Sequence, residues 1–284
     1  MRDDPQSLVS TGWLAQALGR EDVVVLDASW HLPGSGRDAG AEFRAARIPG
    51  ARRFDIDAVS ERESPLPHMA PSPASFRDAM AALGIGADSQ VVIYDAAGIF
   101  SAPRAWWTFR LMGHAAVAVL DGGLPKWVAE GWPVETGEPG AAPEAEPPTP
   151  VVDPARVVDA DAVARALEGG SAQVLDARPR ARFRGEAPEP RTGLRGGHMP
   201  GAVSLPFGEV LNPDGTMKDE DGIRAALAAE GVDPARPVIA TCGSGVTAAI
   251  LALALERLGR GAAIYDGSWA EWGSDPSRPV ATGP

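Results

Sequence analysis

The feature that most constrains this chain is that its second half repeats the plan of its first. VVVLDAS (23–29) is answered by AQVLDAR (172–178), and RIPGA (47–51) by HMPGA (198–202). VVIYD (91–95) is answered by PVIAT (237–241), and LDGGLPKW (120–127) by YDGSWAEW (265–272), with the same Asp-to-Trp spacing in both. Four matches in one order point to duplication of a folding unit, so whatever fold one half adopts the other shares. Between them GEPGAAPEAEPPTPVVD (137–153), rich in Pro, Ala and Glu without apolar periodicity, reads as an extended, stiff linker. The expected organisation is a domain over 1–136, the linker over 137–153 and a second domain over 154–284.

Within each half, short apolar runs alternate with helical patterns. VVVLD, VVIYD and their counterparts read as buried strands. Helical patterns cover 8–19, 73–84 and 101–113 in the first half, and 159–170, 221–231 and 247–259 in the second. Several open with Ser, Asp or Pro and close with Gly, as capping physics favours. Such alternation predicts an α/β fold with one mainly parallel sheet per domain. In open sheets of that kind, ligands bind at the carboxyl ends of the strands.

Charge and composition exclude several functions. A net charge of −12 disfavours a nucleic-acid or anionic-membrane partner, so an anionic substrate must be drawn in by local positive charge. Every apolar stretch is interrupted by charges, Gly or Pro before reaching the roughly 20 residues of a membrane span. MRDDPQSLVS lacks the basic flank and apolar core of a secretory signal, so none is expected. The single cysteine, Cys242, rules out an intrachain disulfide and a multi-Cys zinc site, and fits a reducing compartment, with cytoplasm the default.

Cys242 stands where the strand-end rule looks for chemistry. It opens the turn CGSGV (242–246) between the strand PVIAT and the helical stretch TAAILALALERLG. Glycines at 243 and 245, bracketing Ser244, let the backbone adopt positive φ and turn its N–H groups inward. A nest of this kind beside a helix N-terminus holds an anion and favours a thiolate. A cysteine-protease reading needs a paired histidine, and the spacing of His31, His68, His114 and His198 singles none out. A phosphatase loop needs Arg at the sixth position after Cys, which here is Ala248. Gly-Ser-Gly (243–245) is not followed by the Lys of a phosphate-binding loop, and no GxGxxG opens a helix, so no cofactor and no metal are assigned. A loop whose donors are backbone amides suits a smaller anion, a terminal persulfide.

The duplicated domain, the strand–Cys loop–helix unit and the Asp-Gly-Gly/Ser…Trp elements resemble the rhodanese superfamily of sulfurtransferases. Cys-Gly-Ser-Gly-Val-Thr (242–247) is similar to the active loop of its 3-mercaptopyruvate branch, whereas thiosulfate:cyanide enzymes carry Arg and Lys at the positions of Gly243 and Ser244. The resemblance implies two tandem rhodanese-like domains, the first silent, with Asp-Ala-Ala (95–97) in place of the cysteine loop. It implies that Cys242 carries sulfur, that Ser244 and Asp57 form a triad-like network with it, and that Gly243, Gly245, Val246 and Thr247 line the persulfide. It implies that Arg182 and Arg191, in the arginine-rich stretch 178–198, bind the donor carboxylate and that His68 lies near the substrate. Arginine's planar fork suits a carboxylate better than lysine's ammonium. Arg178, Arg180, Arg184 and Arg195 have no such match and read as surface or loop-bracing residues. Trp106, Trp107, Phe109, Trp127 and Trp272 read as packing.

The expected partners are a small anionic sulfur donor and a thiol acceptor such as thioredoxin or a small dithiol, with no nucleic acid and no membrane. A monomer is expected, because two linked domains can already complete the site. Three alternatives stay open: a thiosulfate:cyanide sulfurtransferase, a non-catalytic rhodanese-like docking module, and a redox-sensing thiol that stops at sulfenic acid.

Overall fold

A computed structural model describes residues 2–284. They divide into two compact units, the first holding the chain up to Arg62, Ala70–Asp153 and Asn212–Met217, the second Glu63–Met69, Pro154–Leu211 and Lys218–Pro284. Each unit is built on a five-stranded sheet in which every pairing is parallel.

In the first unit, β1 (Leu8–Val9), β2 (Val23–Asp27), β3 (Arg52–Arg53), β4 (Gln90–Tyr94) and β5 (Val117–Leu120) lie in the order β1-β5-β4-β2-β3. In the second, β6 (Val157–Val158), β7 (Gln173–Asp176), β8 (Val203–Ser204), β9 (Val238–Thr241) and β10 (Ala263–Tyr265) lie in the order β6-β10-β9-β7-β8. The two orders are the same, as duplication requires. All but the first residue of β2 and of β4, and all of β5 and β9, are buried, because helices cover parallel sheets and leave no wet face for polar alternation.

Helices Ala102–Leu111 and Ala248–Arg257 follow the central strands β4 and β9 and are buried along nearly their whole length. That explains their apolar or bulky composition: Trp106, Trp107 and Phe109 are fully buried, as expected from their spacing. Trp127 packs with Val25, Val92 and Tyr94 in the first core; Trp269 and Trp272 pack with Val174, Ile239 and Tyr265 in the second. The pattern over 8–19 is not one helix. Leu8 and Val9 pair with Val119 and Leu120, and the helix begins at Thr11, because the Ser10 hydroxyl accepts the Trp13 N–H at 3.1 Å and caps it.

The Pro-rich stretch 137–153 is tied to the first unit. The Val151 N–H donates to the Met112 carbonyl at 3.0 Å and the Asp153 N–H to Leu111 at 2.8 Å, while Arg77 reaches Glu146 at 3.1 Å. Among the described residues no helix is long and apolar enough to cross a membrane.

The register refines the repeat. Leu26 faces Ile93 and Leu175 faces Ala240, so Asp95, not Ala96, is the counterpart of Cys242. Gly123 and Ser268 are likewise equivalent, both left-handed, with φ of 54° and 51°. A Cβ on Gly123 would press on the carbonyl oxygens of Asp95 and Gly98. Gly123→Ala should therefore destabilise the protein by ~1–3 kcal/mol from the left-handed backbone alone, with the clash adding to it. A lowered urea midpoint checks this; an unchanged midpoint would mean that the turn can rearrange.

Candidate active site

Strand β9 ends at Thr241, and Cys242 is the first residue beyond it, 2 % exposed. The loop then passes Gly243, Ser244, Gly245, Val246 and Thr247 before the helix at Ala248. Of the two glycines only Gly245 has positive φ, at 77°. Gly243 serves another purpose: a Cβ there would lie 2.9 Å from Nη2 of Arg182, so the glycine leaves that guanidinium its place beside the loop. The expectation of two left-handed glycines is corrected, since one supplies the turn and the other gives room for a guanidinium.

The equivalent loop of the first unit, one residue longer, holds an anion of its own. Its Asp95 carboxylate accepts the N–H of Ala97 at 2.9 Å through Oδ1, and those of Phe100, Ser101 and Ala102 at 2.8, 2.9 and 2.9 Å through Oδ2. The nest in that copy is filled by its own side chain. In the second unit the shorter cysteine side chain stands in place of that carboxylate.

The loop is held from below by the second half of the repeat motif. The carbonyls of Cys242 and Gly243 accept the N–H groups of Trp269 at 3.0 Å and Ala270 at 2.9 Å. Ser268 is fully buried; its hydroxyl donates to the Tyr265 carbonyl at 2.8 Å and lies 3.3 Å from the Cys242 nitrogen, whose N–H points to it. A serine kept at φ 51° where the other copy has glycine is backbone strain offset by these contacts.

Beside the loop lies a buried ion cluster. Arg178 grips Asp176 through Nε, at 3.0 Å to both carboxylate oxygens, and through Nη2 at 2.6 Å. Its Nη1 reaches Glu189 Oε1 at 2.8 Å, its Nη2 donates to the Gly197 carbonyl at 2.8 Å, and its face lies 4.3 Å from the Trp269 ring centroid. Burial opposes the Arg178 charge, but Asp176 and then Glu189 more than offset it and hold the pKa above the ordinary arginine value. Glu189 Oε2 accepts from Arg182, from Nε at 3.1 Å and from Nη2 at shorter range. Arg178 thus braces the loop as expected, but from the interior and not from the surface. Arg180 pairs with Glu230, and Arg195 donates to the carbonyls of Trp272, Gly273 and Arg278.

Arg191 Nη2 lies 3.0 Å from His68 Nε2, which must act as the acceptor because a guanidinium only donates. His68 belongs to the second unit through Glu63–Met69, is buried, and has a left-handed backbone with φ of 61°. The second unit therefore holds Cys242, Ser244, Arg182, Arg191 and His68. Asp57 belongs to the first, in the helix Ile56–Val59, where Oδ2 accepts the Trp30 indole N–H at 3.1 Å. Sequence reasoning missed Glu189, Asp176 and Ser268. Glu189 sits two residues before Arg191 in Glu-Pro-Arg, and nothing in that tripeptide marks a buried charge. Among the described residues no group of three or more His, Cys, Asp or Glu is arranged to hold a metal.

The rhodanese-like domain profile matches this chain twice, over residues 10–130 and 159–275. The chain belongs to the rhodanese family. It is 45% identical to the 3-mercaptopyruvate sulfurtransferase of Homo sapiens over 274 residues, covering 94% of this chain and 92% of that one. It is 42% identical to the thiosulfate sulfurtransferase of Bos taurus over 275 residues, with coverage of 94% and 92%. Among solved structures it superposes on SseA from Escherichia coli, described as a 3-mercaptopyruvate sulfotransferase, with a TM-score of 0.84 at 40% identity, covering 92% and 98% of the two chains. It superposes on Tum1 from Saccharomyces cerevisiae with a TM-score of 0.89 at 32% identity and 99% coverage of both. Relatives named for each of the two donors are thus about equally similar overall.

Removing Arg178 would leave Asp176 and Glu189, each 1 % exposed in its side chain, without their shared counter-charge. Arg178→Met should cost ~3–5 kcal/mol, as breaking a buried pair does. Thermal unfolding by circular dichroism measures it; a loss under 1 kcal/mol would show that water reaches the cluster.

Proposed function

We propose that this rhodanese is a sulfurtransferase that takes sulfur from 3-mercaptopyruvate onto Cys242 and passes it to a thiol, releasing pyruvate. The observation that carries the reading is the juxtaposition of Cys242, in a neutral Gly-Ser-Gly loop, with Arg182 lying against Gly243. A carboxylate-bearing donor can be held by arginine while its sulfur faces the cysteine. The loop itself has no Arg or Lys to favour thiosulfate.

The chemistry follows in balanced steps. The Cys242 thiolate attacks the donor thiol sulfur, an S–S bond forms and the donor C–S bond breaks. Cysteine is left as the persulfide Cys–S–SH, and the bonding pair remains on carbon as pyruvate enolate, which takes up one proton to become pyruvate. In this reading Ser244 of the loop delivers that proton, and the resemblance assigns Asp57 as its polarising partner. Loop N–H groups at the helix N-terminus stabilise the negative sulfur, a role for which the filled nest around Asp95 is the internal precedent. Arg182 and Arg191 bind the carboxylate, and His68, on Arg191, lies beside it. A dithiol such as reduced thioredoxin or a small dithiol then removes the outer sulfur as sulfide and is oxidised to its disulfide, which regenerates Cys242. A reducing compartment such as the cytoplasm supplies such acceptors, and a monomer suffices for the scheme.

Pyruvate release from 3-mercaptopyruvate with dithiothreitol should exceed sulfite release from thiosulfate with cyanide in kcat/KM by at least about tenfold, the effect of one lost charge-assisted contact. Cys242→Ser should abolish both. Comparable efficiencies would move the enzyme to the thiosulfate class; turnover in the Ser variant would remove the scheme.

Arg191→Ala should raise KM for mercaptopyruvate by roughly 10–100-fold with a smaller change in kcat, because it removes uniform carboxylate binding. Asp57→Asn should act in the opposite sense, lowering kcat more than it raises KM. Steady-state kinetics separates the two, and equal effects on both constants would contradict the division of roles.

A further inference from the structure

We propose that Glu189 is the positioning residue of the donor clamp, holding Arg182 against the cysteine loop so that one edge of its guanidinium stays committed and the other faces the donor. The inference rests on the reading that Arg182 binds the donor carboxylate.

The Glu189 side chain is 1 % exposed, and its two oxygens are divided between two arginines. Oε1 takes Nη1 of Arg178 at 2.8 Å, and Oε2 takes Nε and Nη2 of Arg182. Arg178 is itself fixed by Asp176 and the Gly197 carbonyl. A continuous line of charge-assisted hydrogen bonds therefore runs from the strand end at Asp176, through Arg178 and Glu189, to Arg182. Exposure rises along it, from 1 % at Arg178 and Glu189 to 17 % at Arg182. Only its last member meets solvent.

On its other side Arg182 lies against the loop, its Nη2 2.9 Å from where a Gly243 Cβ would stand, in space that the glycine leaves open. With the Nε/Nη2 edge on Glu189, Nη1 and the remaining Nη2 hydrogen are left for a ligand. Long arginine side chains lose much rotamer freedom when they bind, and a side chain already fixed does not lose it again.

A carboxylate beside a carboxylate-binding arginine also has an opposite effect. The formal charges of Asp176, Arg178, Glu189 and Arg182 cancel, so Glu189 weakens the pull of Arg182 on an anionic donor. The two effects predict opposite signs on KM. Divided hydrogen bonding to two arginines favours positioning as the larger one, because a field effect needs no directed contact.

The test is pyruvate release from 3-mercaptopyruvate with dithiothreitol, for Glu189→Ala and Glu189→Gln, alone and combined with Arg182→Ala. Glu189→Ala should raise KM roughly tenfold and leave kcat within about threefold. Glu189→Gln, with one acceptor oxygen left, should raise KM by only about threefold. On the Arg182→Ala background the Glu189 change should add less than about twofold, since a residue acting through another has no effect once that residue is gone. A KM unchanged or lowered by Glu189→Ala, or effects that simply add, would overturn the inference. If the Ala variant does not fold, as circular dichroism would show, the sign of the Gln effect decides: a rise supports positioning and a fall overturns it. Absence of mercaptopyruvate turnover in the wild type, or a wild-type KM in Arg182→Ala alone, would overturn the donor reading and this inference with it. Neither result involves a change at Glu189, so the two failures are distinguishable.

Discussion

The parallel pairing of β9 between β7 and β10 is the constraint on which the rest of the second unit depends. Because the three strands run the same way, their carboxyl ends open at one edge of the sheet. Asp176 ends β7, Cys242 follows β9, and Ser268 follows β10 by three residues. Reversing any one strand would carry its residue to the opposite edge. The chemistry of the site is thus a consequence of strand direction before it is a consequence of side-chain choice.

The two copies show how little separates a structural loop from a reactive one. Both have the same strand order and the same left-handed residue after the Asp-Gly element. In one, a carboxylate at position 95 satisfies four backbone N–H groups from within. In the other, cysteine stands at the equivalent position, and under the proposed function its loop serves an anion that comes and goes. Ser29 and Arg178 are equivalent as well, following the aspartates that end β2 and β7. The first unit keeps a serine hydroxyl accepting the Ala96 N–H at 2.9 Å, where the second has the arginine at the centre of its ion cluster.

That cluster sets stability against function. Burying two carboxylates and a guanidinium carries a desolvation cost that well-packed apolar residues would avoid. The arrangement makes physical sense if what it supplies is a fixed direction for Arg182. The strained backbone of Ser268 belongs to the same pattern, local energy held at the site and compensated by the fully packed core around Trp269 and Trp272.

The duplication, the alternation of strands and helices, and the position of Cys242 in a strand-to-helix turn are all legible along the chain. Each of these is local: a run of β-branched residues, a capping serine or a glycine beside a cysteine carries its meaning within a few positions. Sequence alone also placed Trp106, Trp107, Trp127 and Trp272 in packing positions, and all four are buried. Which charges are buried together emerges only once the chain is folded. Asp176, Arg178 and Glu189 lie within 14 residues that read as a solvated basic stretch, and Gly243 and Arg182, 61 positions apart, give no sign in sequence that one leaves space for the other. Electrostatic partnership and close approach are properties of three-dimensional neighbours, and a linear pattern does not encode which distant residue will arrive.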